Sequence, residues 1–87
     1  MLYNLIRRWE YLDVLIRKDK FSILVGKRIR ELREVRSISQ LQLSTDIEID
    51  ESTLRNYESG RQIPSIYTLY KISYYLGIEL ETLVEEI

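Results

Sequence analysis

The segment from Ser39 to Gly60, SQLQLSTDIEIDESTLRNYESG, decides the fold of this 87-residue chain. Ser39 and Gln42 match a capping box, in which a hydroxyl and a glutamine satisfy free amides at the start of a helix. Asp50 is placed to cap a second helix over about residues 51–59. Gly60 can end that helix because glycine adopts the left-handed conformation without strain. The segment therefore predicts two short helices in succession.

The connection between these helices carries a conflicting signal. Residues 46–50 alternate polar and apolar side chains, as a half-buried strand does. Because nothing else in the chain offers a partner strand, we interpret them as the end of one helix and the turn into the next, with Ile47 and Ile49 directed to the core. Two short helices joined by a tight turn form a helix-turn-helix, whose second helix can enter the major groove of DNA.

Helical patterns continue on both sides of this motif. Upstream, an apolar stripe with 3-4-3-4 spacing predicts an amphipathic helix over about residues 2–18. The stripe consists of Leu2, Leu5, Trp9, Leu12 and Ile16. The charged residues 18–20 predict a break, after which Ser22 would cap a second helix that runs to about Arg36. Downstream, Pro64-Ser65 opens a helix that Gly77 ends, and a last helix covers about residues 80–86.

We therefore predict an all-α fold: a compact five-helix domain built on the helix-turn-helix, with an extra N-terminal amphipathic helix. Residues 1–21 would form that helix, which either packs on its own domain or dimerises, and residues 22–87 would form the helix-turn-helix domain. Four tyrosines (Tyr67, Tyr70, Tyr74 and Tyr75) follow helical spacing in the downstream half. We expect some of them in the core and some at its rim.

Composition excludes several classes of function. The chain has neither cysteine nor histidine, which removes disulfides, thiolate metal sites and the commonest general base. It contains no nucleophile–base pair and no glycine-rich phosphate loop, so we expect no enzyme, no cofactor and no metal. No apolar run approaches the roughly 20 residues of a membrane span, and a secretory signal is not evident. We expect a cytoplasmic protein.

Charge is unevenly distributed along the chain. Residues 1–36 hold ten Lys/Arg and five Asp/Glu, whereas residues 37–87 hold three and nine, so the halves carry +5 and −6 and sum to the net charge of −1. Such polarity can direct a positive face towards phosphate. It is equally consistent with ordinary solvated helices.

Seven positions resemble the Cro and phage-repressor (lambda-repressor-like) class of helix-turn-helix domains: Gln40, Leu43, Ile49, Leu54, Glu58, Gly60 and Pro64. The resemblance covers about residues 23–86. It implies that Gln40, beside the cap Ser39, donates to a DNA phosphate, as a helix N-terminus favours. It also implies an ion pair between Arg33 and Glu58 that ties the second motif helix to the rest of the domain.

Base reading would then fall to the exposed start of the second motif helix, at Asp50, Glu51, Ser52, Arg55 and Asn56. Arginine can bind guanine and asparagine adenine, each through two hydrogen bonds. We expect Thr53 nearer the phosphates, and Arg61 and Gln62 against the DNA backbone.

The sequence departs from the family pattern in two places. Glu48 occupies the turn position where the family usually has glycine, and Asp50 and Glu51 place carboxylates where the helix would approach a polyanion. We predict a sequence-specific transcriptional regulator, either a repressor or an activator, that binds double-stranded DNA as a homodimer. The alternative is a protein-interaction or antitoxin-like module on the same fold, with a protein partner and little DNA binding.

Overall fold

The computed structural model describes the backbone of residues 2–86 and the side chains of residues 17–86. Five α-helices follow one another along the chain, and the described backbone contains no strand. They are α1 (Leu2–Val35), α2 (Gln40–Asp46), α3 (Glu51–Glu58), α4 (Ile66–Leu76) and α5 (Leu80–Val84). The all-α fold class is confirmed. Residues 46–50 end α2 and turn into α3, as interpreted, rather than forming a strand.

The predicted break between the first two helices is wrong. α1 runs without interruption through the charged residues 18–20, so Ser22 lies in a helix interior and caps nothing at an N-terminus. Lysine and aspartate are tolerated inside a helix, and no proline stands there to remove a hydrogen bond. The boundary predicted between residues 21 and 22 therefore falls inside α1. The apolar stripe from Leu2 to Ile16 lies outside the described side chains, and its packing or dimerising role stays a prediction.

The core lies where α1 from Phe21 onward meets the four shorter helices. Each helix contributes buried apolar side chains at helical spacing, which removes one face of every amphipathic element from water. These residues are Val25, Ile29, Leu43, Ile47, Leu54, Tyr57, Leu69, Ile72, Leu76 and Leu83. Ile47 is fully buried and Ile49 is half-buried, so the turn between α2 and α3 closes over the same core.

The helix ends follow the predicted signals in part. The Ser39 hydroxyl accepts the amide of Gln42, but the Gln42 side chain donates to the Asp46 carboxylate instead of reaching back, so only half of the capping box forms. Asp50 occupies the N-cap position of α3 without a side-chain hydrogen bond. Gly60 adopts φ +79° just after α3, as predicted.

The downstream helices are positioned by local caps and by one long-range contact. The Ser65 hydroxyl caps α4 by accepting the amide of Thr68, and Gly77 ends α4 with φ +70°. The last helix stops at Val84, two residues before the predicted end. Its final carbonyls accept the Arg28 guanidinium, at 3.2 Å from Thr82 O and 2.7 Å from Glu85 O. A cation is favourable at a helix C-terminus, where the carbonyls lack intrahelical partners.

Within the described part of the chain, none of the helices is both long enough and apolar enough to cross a membrane.

Candidate functional site

The second motif helix, α3, is held at its C-terminal end by three contacts with α1. The Ser22 hydroxyl donates to the Gly60 carbonyl at 2.9 Å. One turn further along α1, Gly26 lies directly beneath the Tyr57 carbonyl, where a Cβ would collide with that oxygen and stand 2.9 Å from the Glu58 carbonyl oxygen. Two turns beyond that, Arg33 reaches Glu58. These contacts fix the position of α3, on which Ser52 and Arg55 remain exposed.

Arg33 and Glu58 form a buried ion pair at the centre of a small polar network. Arg33 donates from Nε to Glu58 Oε2 at 2.7 Å and from Nη2 to Oε1 at 2.9 Å, and the two side chains are 9% and 3% exposed. Gln40 Nε2 donates to the same Oε1 at 3.0 Å, and Arg33 Nη1 donates to the Ile38 carbonyl at 2.8 Å. The hydrogen bond that Arg33 donates to Glu58 raises the pKa of the Arg33 guanidinium. The network joins α1, the start of α2 and the end of α3.

An open cleft of about 370 Å³ lies beside this network. It brings together five of the residues that were predicted to contact DNA, from the start of α2, from α3 and from the turn after it. Its lining comprises Arg30, Gln40, Ser52, Arg55, Asn56, Glu58, Ser59 and Arg61. Ser52, Arg55 and Arg61 are exposed, and Asn56 is half-buried. Among the described residues nothing pairs with the Asn56 side-chain amide, so it is available to a ligand.

Five other predicted residues lie around the cleft rather than in its lining: Ser39, Asp50, Glu51, Thr53 and Gln62. Ser39 is occupied as the cap of α2, and Gln62 is exposed beyond α3. The Glu51 carboxylate stands 3.7 Å from Arg55 Nη1, one helical turn away. Both side chains are about half exposed, so this pair can separate at little cost when a stronger anion arrives.

Arg30 was not among the residues that the sequence indicated. It lies on α1 one turn before Arg33 and adds a third guanidinium to the cleft. Its Nε donates to Glu34 Oε1 at 2.8 Å, and this hydrogen bond raises the pKa of Arg30 and lowers the pKa of Glu34, so both groups are charged at neutral pH. Arg30 and Arg33 are three residues apart and are therefore neighbours on the helix surface, a spacing that was visible in the sequence.

The turn between α2 and α3 contains Glu48, at the position where glycine was expected. Glu48 adopts φ +61°, the left-handed conformation that glycine accepts at lower cost. Its side chain is exposed, and its amide donates to the Thr45 carbonyl at 3.2 Å. The turn therefore forms with a left-handed glutamate at this position.

Comparison with known proteins identifies the class to which this arrangement belongs. A family model described as a helix-turn-helix domain matches residues 26–86. The structure of SinR, the master regulator for biofilm formation, in complex with DNA superposes with a TM-score of 0.66 at 31% identity. That match covers 70% of this chain and 98% of the SinR chain.

Two curated relatives share this domain as part of a longer protein. The immunity repressor protein of Bacillus phage phi105 is 36% identical over 62 residues, which cover 71% of this chain and 43% of the repressor. Multiprotein-bridging factor 1 of Candida albicans is 31% identical over 68 residues, which cover 78% of this chain and 45% of that factor. The chain spans less than half the length of these two relatives. It belongs to the helix-turn-helix domain family, as the resemblance to Cro and the phage repressors implied.

Proposed function

We propose that this protein is a sequence-specific DNA-binding regulator of transcription that inserts α3 into the major groove and acts as a repressor. The observation that carries the proposal is the convergence of Gln40, Ser52, Arg55, Asn56 and Arg61 on one cleft next to a rigid anchor. The similarity to SinR, whose structure is a complex with DNA, and to the immunity repressor of the phage supports the same function.

Base edges are read by Ser52, Arg55 and Asn56. Arg55 donates two hydrogen bonds to guanine, and Asn56 pairs with adenine through its amide. Each of these contacts contributes about 1–3 kcal/mol of discrimination against the wrong base. Anchoring of α3 at Glu58 limits the side-chain positions that α3 can present, which favours direct reading over nonspecific attachment.

Phosphates are held by residues around the cleft. Gln40 donates one amide hydrogen to Glu58 and has a second to offer, at the N-terminus of α2 where the free amides also attract an anion. Ser39 and Thr53 also contact phosphates, and Arg61 and Gln62 contact the DNA backbone from the turn just after α3. These contacts position the domain but carry no sequence information.

The carboxylates at the start of α3 act as selectivity elements. Glu51 releases Arg55 when DNA arrives and accepts from a cytosine amino group, while Asp50 keeps its N-cap position. Their repulsion of the phosphates weakens binding to arbitrary sequences, so affinity depends strongly on the correct bases. A homodimer would place two copies of α3 in successive major grooves about 34–36 Å apart, on an inverted repeat.

Selection of binding sites from a randomised duplex pool, followed by fluorescence anisotropy on the recovered sequence, tests the proposal. We expect an inverted-repeat consensus. Arg55→Ala and Asn56→Ala should each lower affinity for it by about 5- to 150-fold, equivalent to 1–3 kcal/mol. Arg61→Ala should weaken all duplexes alike and reduce the salt slope by about 0.9.

Lys27→Ala is the matched control. Lys27 is an exposed cation on α1 whose ion pair with Glu31 lies outside the cleft lining. Recovery of no consensus, together with binding that Arg55→Ala leaves unchanged, would contradict the proposal. Repression is checked separately, by transcription in vitro from a promoter that overlaps the selected site.

A second function is favoured by one comparison. The similarity to a protein named multiprotein-bridging factor supports a role in which this fold contacts another protein, as an interaction module or antitoxin-like partner. The two functions are separable, because the interaction module requires neither a consensus sequence nor Arg55.

A further inference from the structure

The exposed side of α4 carries a cluster of aromatic residues that the DNA-binding role does not use. Tyr67, Tyr70, Tyr74 and Tyr75, here called the tyrosine face, are 65%, 55%, 68% and 45% exposed. The Tyr74 and Tyr75 rings meet edge to face with centroids 5.2 Å apart. Tyrosine combines large apolar area with a polar tip and few rotatable bonds, which is why it is enriched where proteins bind one another.

The tyrosine face forms one wall of a shallow groove of about 320 Å³. The other wall is the end of α2 and the turn that follows it, and it supplies Asp46, Ile47 and Glu48. Gln40 stands at the opposite end of α2, in the cleft described above. The groove and the DNA cleft therefore lie at the two ends of one helix and share no lining residue.

The chemistry of this groove selects a cationic ligand. Lys71 Nζ lies 5.0 Å from the centre of the Tyr67 ring, so the structure already contains one cation against this aromatic surface. The same Nζ donates to the Ile47 carbonyl at 2.8 Å, so its charge is engaged at the end of α2. The two carboxylates on the facing wall outnumber that cation and leave the groove acidic.

Glu48 strengthens this assignment. Its exposed carboxylate has no ion-pair or hydrogen-bond partner among the described residues, and it stands at a left-handed position where glycine would be less strained. An unpaired anion beside exposed tyrosine rings matches a lysine or arginine that brings apolar neighbours with it.

We propose that the tyrosine face and the turn after α2 form a docking groove for a basic, amphipathic peptide segment of another protein. Lysine or arginine side chains of the segment contact Glu48, Asp46 and the ring faces, and its apolar side chains cover the tyrosines. The inference depends on the fold and on this groove, not on the proposed DNA function.

A fluorescein-labelled Leu/Lys amphipathic peptide is a suitable probe, with a Leu/Glu peptide of the same length as its charge-reversed control. At low salt the full chain should bind the Leu/Lys peptide and not the Leu/Glu peptide. Tyr70→Ala and Tyr74→Ala should each weaken binding at least about fivefold, as expected of interface tyrosines. Glu48→Gln, which removes the charge and keeps the side-chain shape, should weaken it about threefold or more and flatten its salt dependence.

Two matched controls test whether the groove itself is responsible. Leu41→Ala removes an exposed apolar side chain on α2, and Glu81→Gln removes an exposed carboxylate on α5, both outside the groove lining. Neither should alter peptide binding. Arg55→Ala should also leave it unchanged, so failure of the DNA proposal and failure of this one give different results.

Three outcomes would overturn the inference. The first is absence of Leu/Lys binding at low salt, and the second is equal weakening by the groove variants and the two controls. The third is sedimentation of the unliganded chain as a dimer that Tyr74→Ala dissociates, because the groove would then belong to a second copy. Circular dichroism of each variant shows whether it is folded before binding is measured.

Discussion

Replacing Glu58 by glutamine should destabilise the domain strongly, because it removes the counter-ion of the buried Arg33 guanidinium. The substitution keeps the shape of the side chain and removes its charge. Three donors then compete for one amide oxygen: Arg33 Nε, Arg33 Nη2 and Gln40 Nε2, which now lie 2.7, 2.9 and 3.0 Å from the carboxylate oxygens. The glutamine NH₂ group would also face one of those donors. A buried guanidinium without its counter-ion costs about 3–5 kcal/mol.

That loss is a large fraction of the roughly 5–15 kcal/mol that stabilise a domain of ordinary size. For a domain of this length it corresponds to a fall in Tm of more than about 10 °C. Urea unfolding followed by circular dichroism gives the free energy, and an unchanged m-value would show that the variant still unfolds in one cooperative step.

Glu34→Gln is the matched control for this charge change. Glu34 also accepts from a guanidinium at 2.8 Å, that of Arg30, but both side chains are exposed. Because water replaces the lost partner, the free energy of unfolding of this variant should be close to that of the parent chain. A double variant, Arg33→Met with Glu58→Leu, should recover most of the stability that Glu58→Gln loses, because no charge is then left in the interior.

This prediction would be refuted if the free energy of unfolding of Glu58→Gln lay within about 1 kcal/mol of that of the parent chain, well short of the expected cost. It would also be refuted if the apolar double variant were as unstable as Glu58→Gln. Either result would show that the burial of Arg33 does not impose the cost assigned to it.

Three further changes follow from the same geometry. Gly26→Ala should lower the free energy of unfolding in urea by about 1–2 kcal/mol, because the clash with the α3 backbone costs more than the gain in helix propensity of about 1 kcal/mol. A more stable variant would show that α1 and α3 can separate freely. Glu48→Gly should stabilise the domain by about 0.5–1 kcal/mol in the same assay, because relief of the left-handed strain outweighs the added freedom of the unfolded chain. An unchanged urea midpoint would mean that φ +61° carries no strain. Arg28→Met should lower the free energy of unfolding by about 0.5–1 kcal/mol and speed amide hydrogen exchange in α5, while the amides of α2 and α3 stay protected. Equal acceleration of exchange in all helices would argue against a local role of Arg28 at the α5 carbonyls.

Local signals in the sequence predicted the short helices well. Ser65 and Gly77 bound α4 because caps and left-handed residues act within a single turn, and the same holds for Gly60 after α3. Predictions that required knowledge of a distant partner did less well. The Gln42 side chain can form a hydrogen bond either with the helix N-terminus, as in a capping box, or with Asp46, and the local sequence pattern does not decide between the two.

The continuity of α1 is the largest feature that the sequence pattern missed. Ser22 looks like a helix cap because its hydroxyl needs a partner, and in the folded chain that partner is the carbonyl of Gly60, 38 residues away. Gly26 likewise weakens a helix considered alone, yet at this place only glycine admits the backbone of α3. Both residues are explained by a helix that crosses α1, and no window of local sequence contains that helix.

Anchoring of α3 by its C-terminal end connects these features to the proposed recognition. Ser22, Gly26 and Arg33 hold the segment from Tyr57 to Gly60, which directly follows Arg55 and Asn56 in a helix only eight residues long. A helix held in this way presents Arg55 and Asn56 in a fixed register, whereas the loosely paired Glu51 remains free to move. Because Gln40 shares the Glu58 carboxylate, the proposed phosphate contact and the proposed base contacts are set by the same buried network. Gln40→Ala should therefore weaken binding to random DNA through the lost phosphate contact and weaken binding to the selected duplex by a larger factor, and an equal loss of the two affinities would refute this coupling.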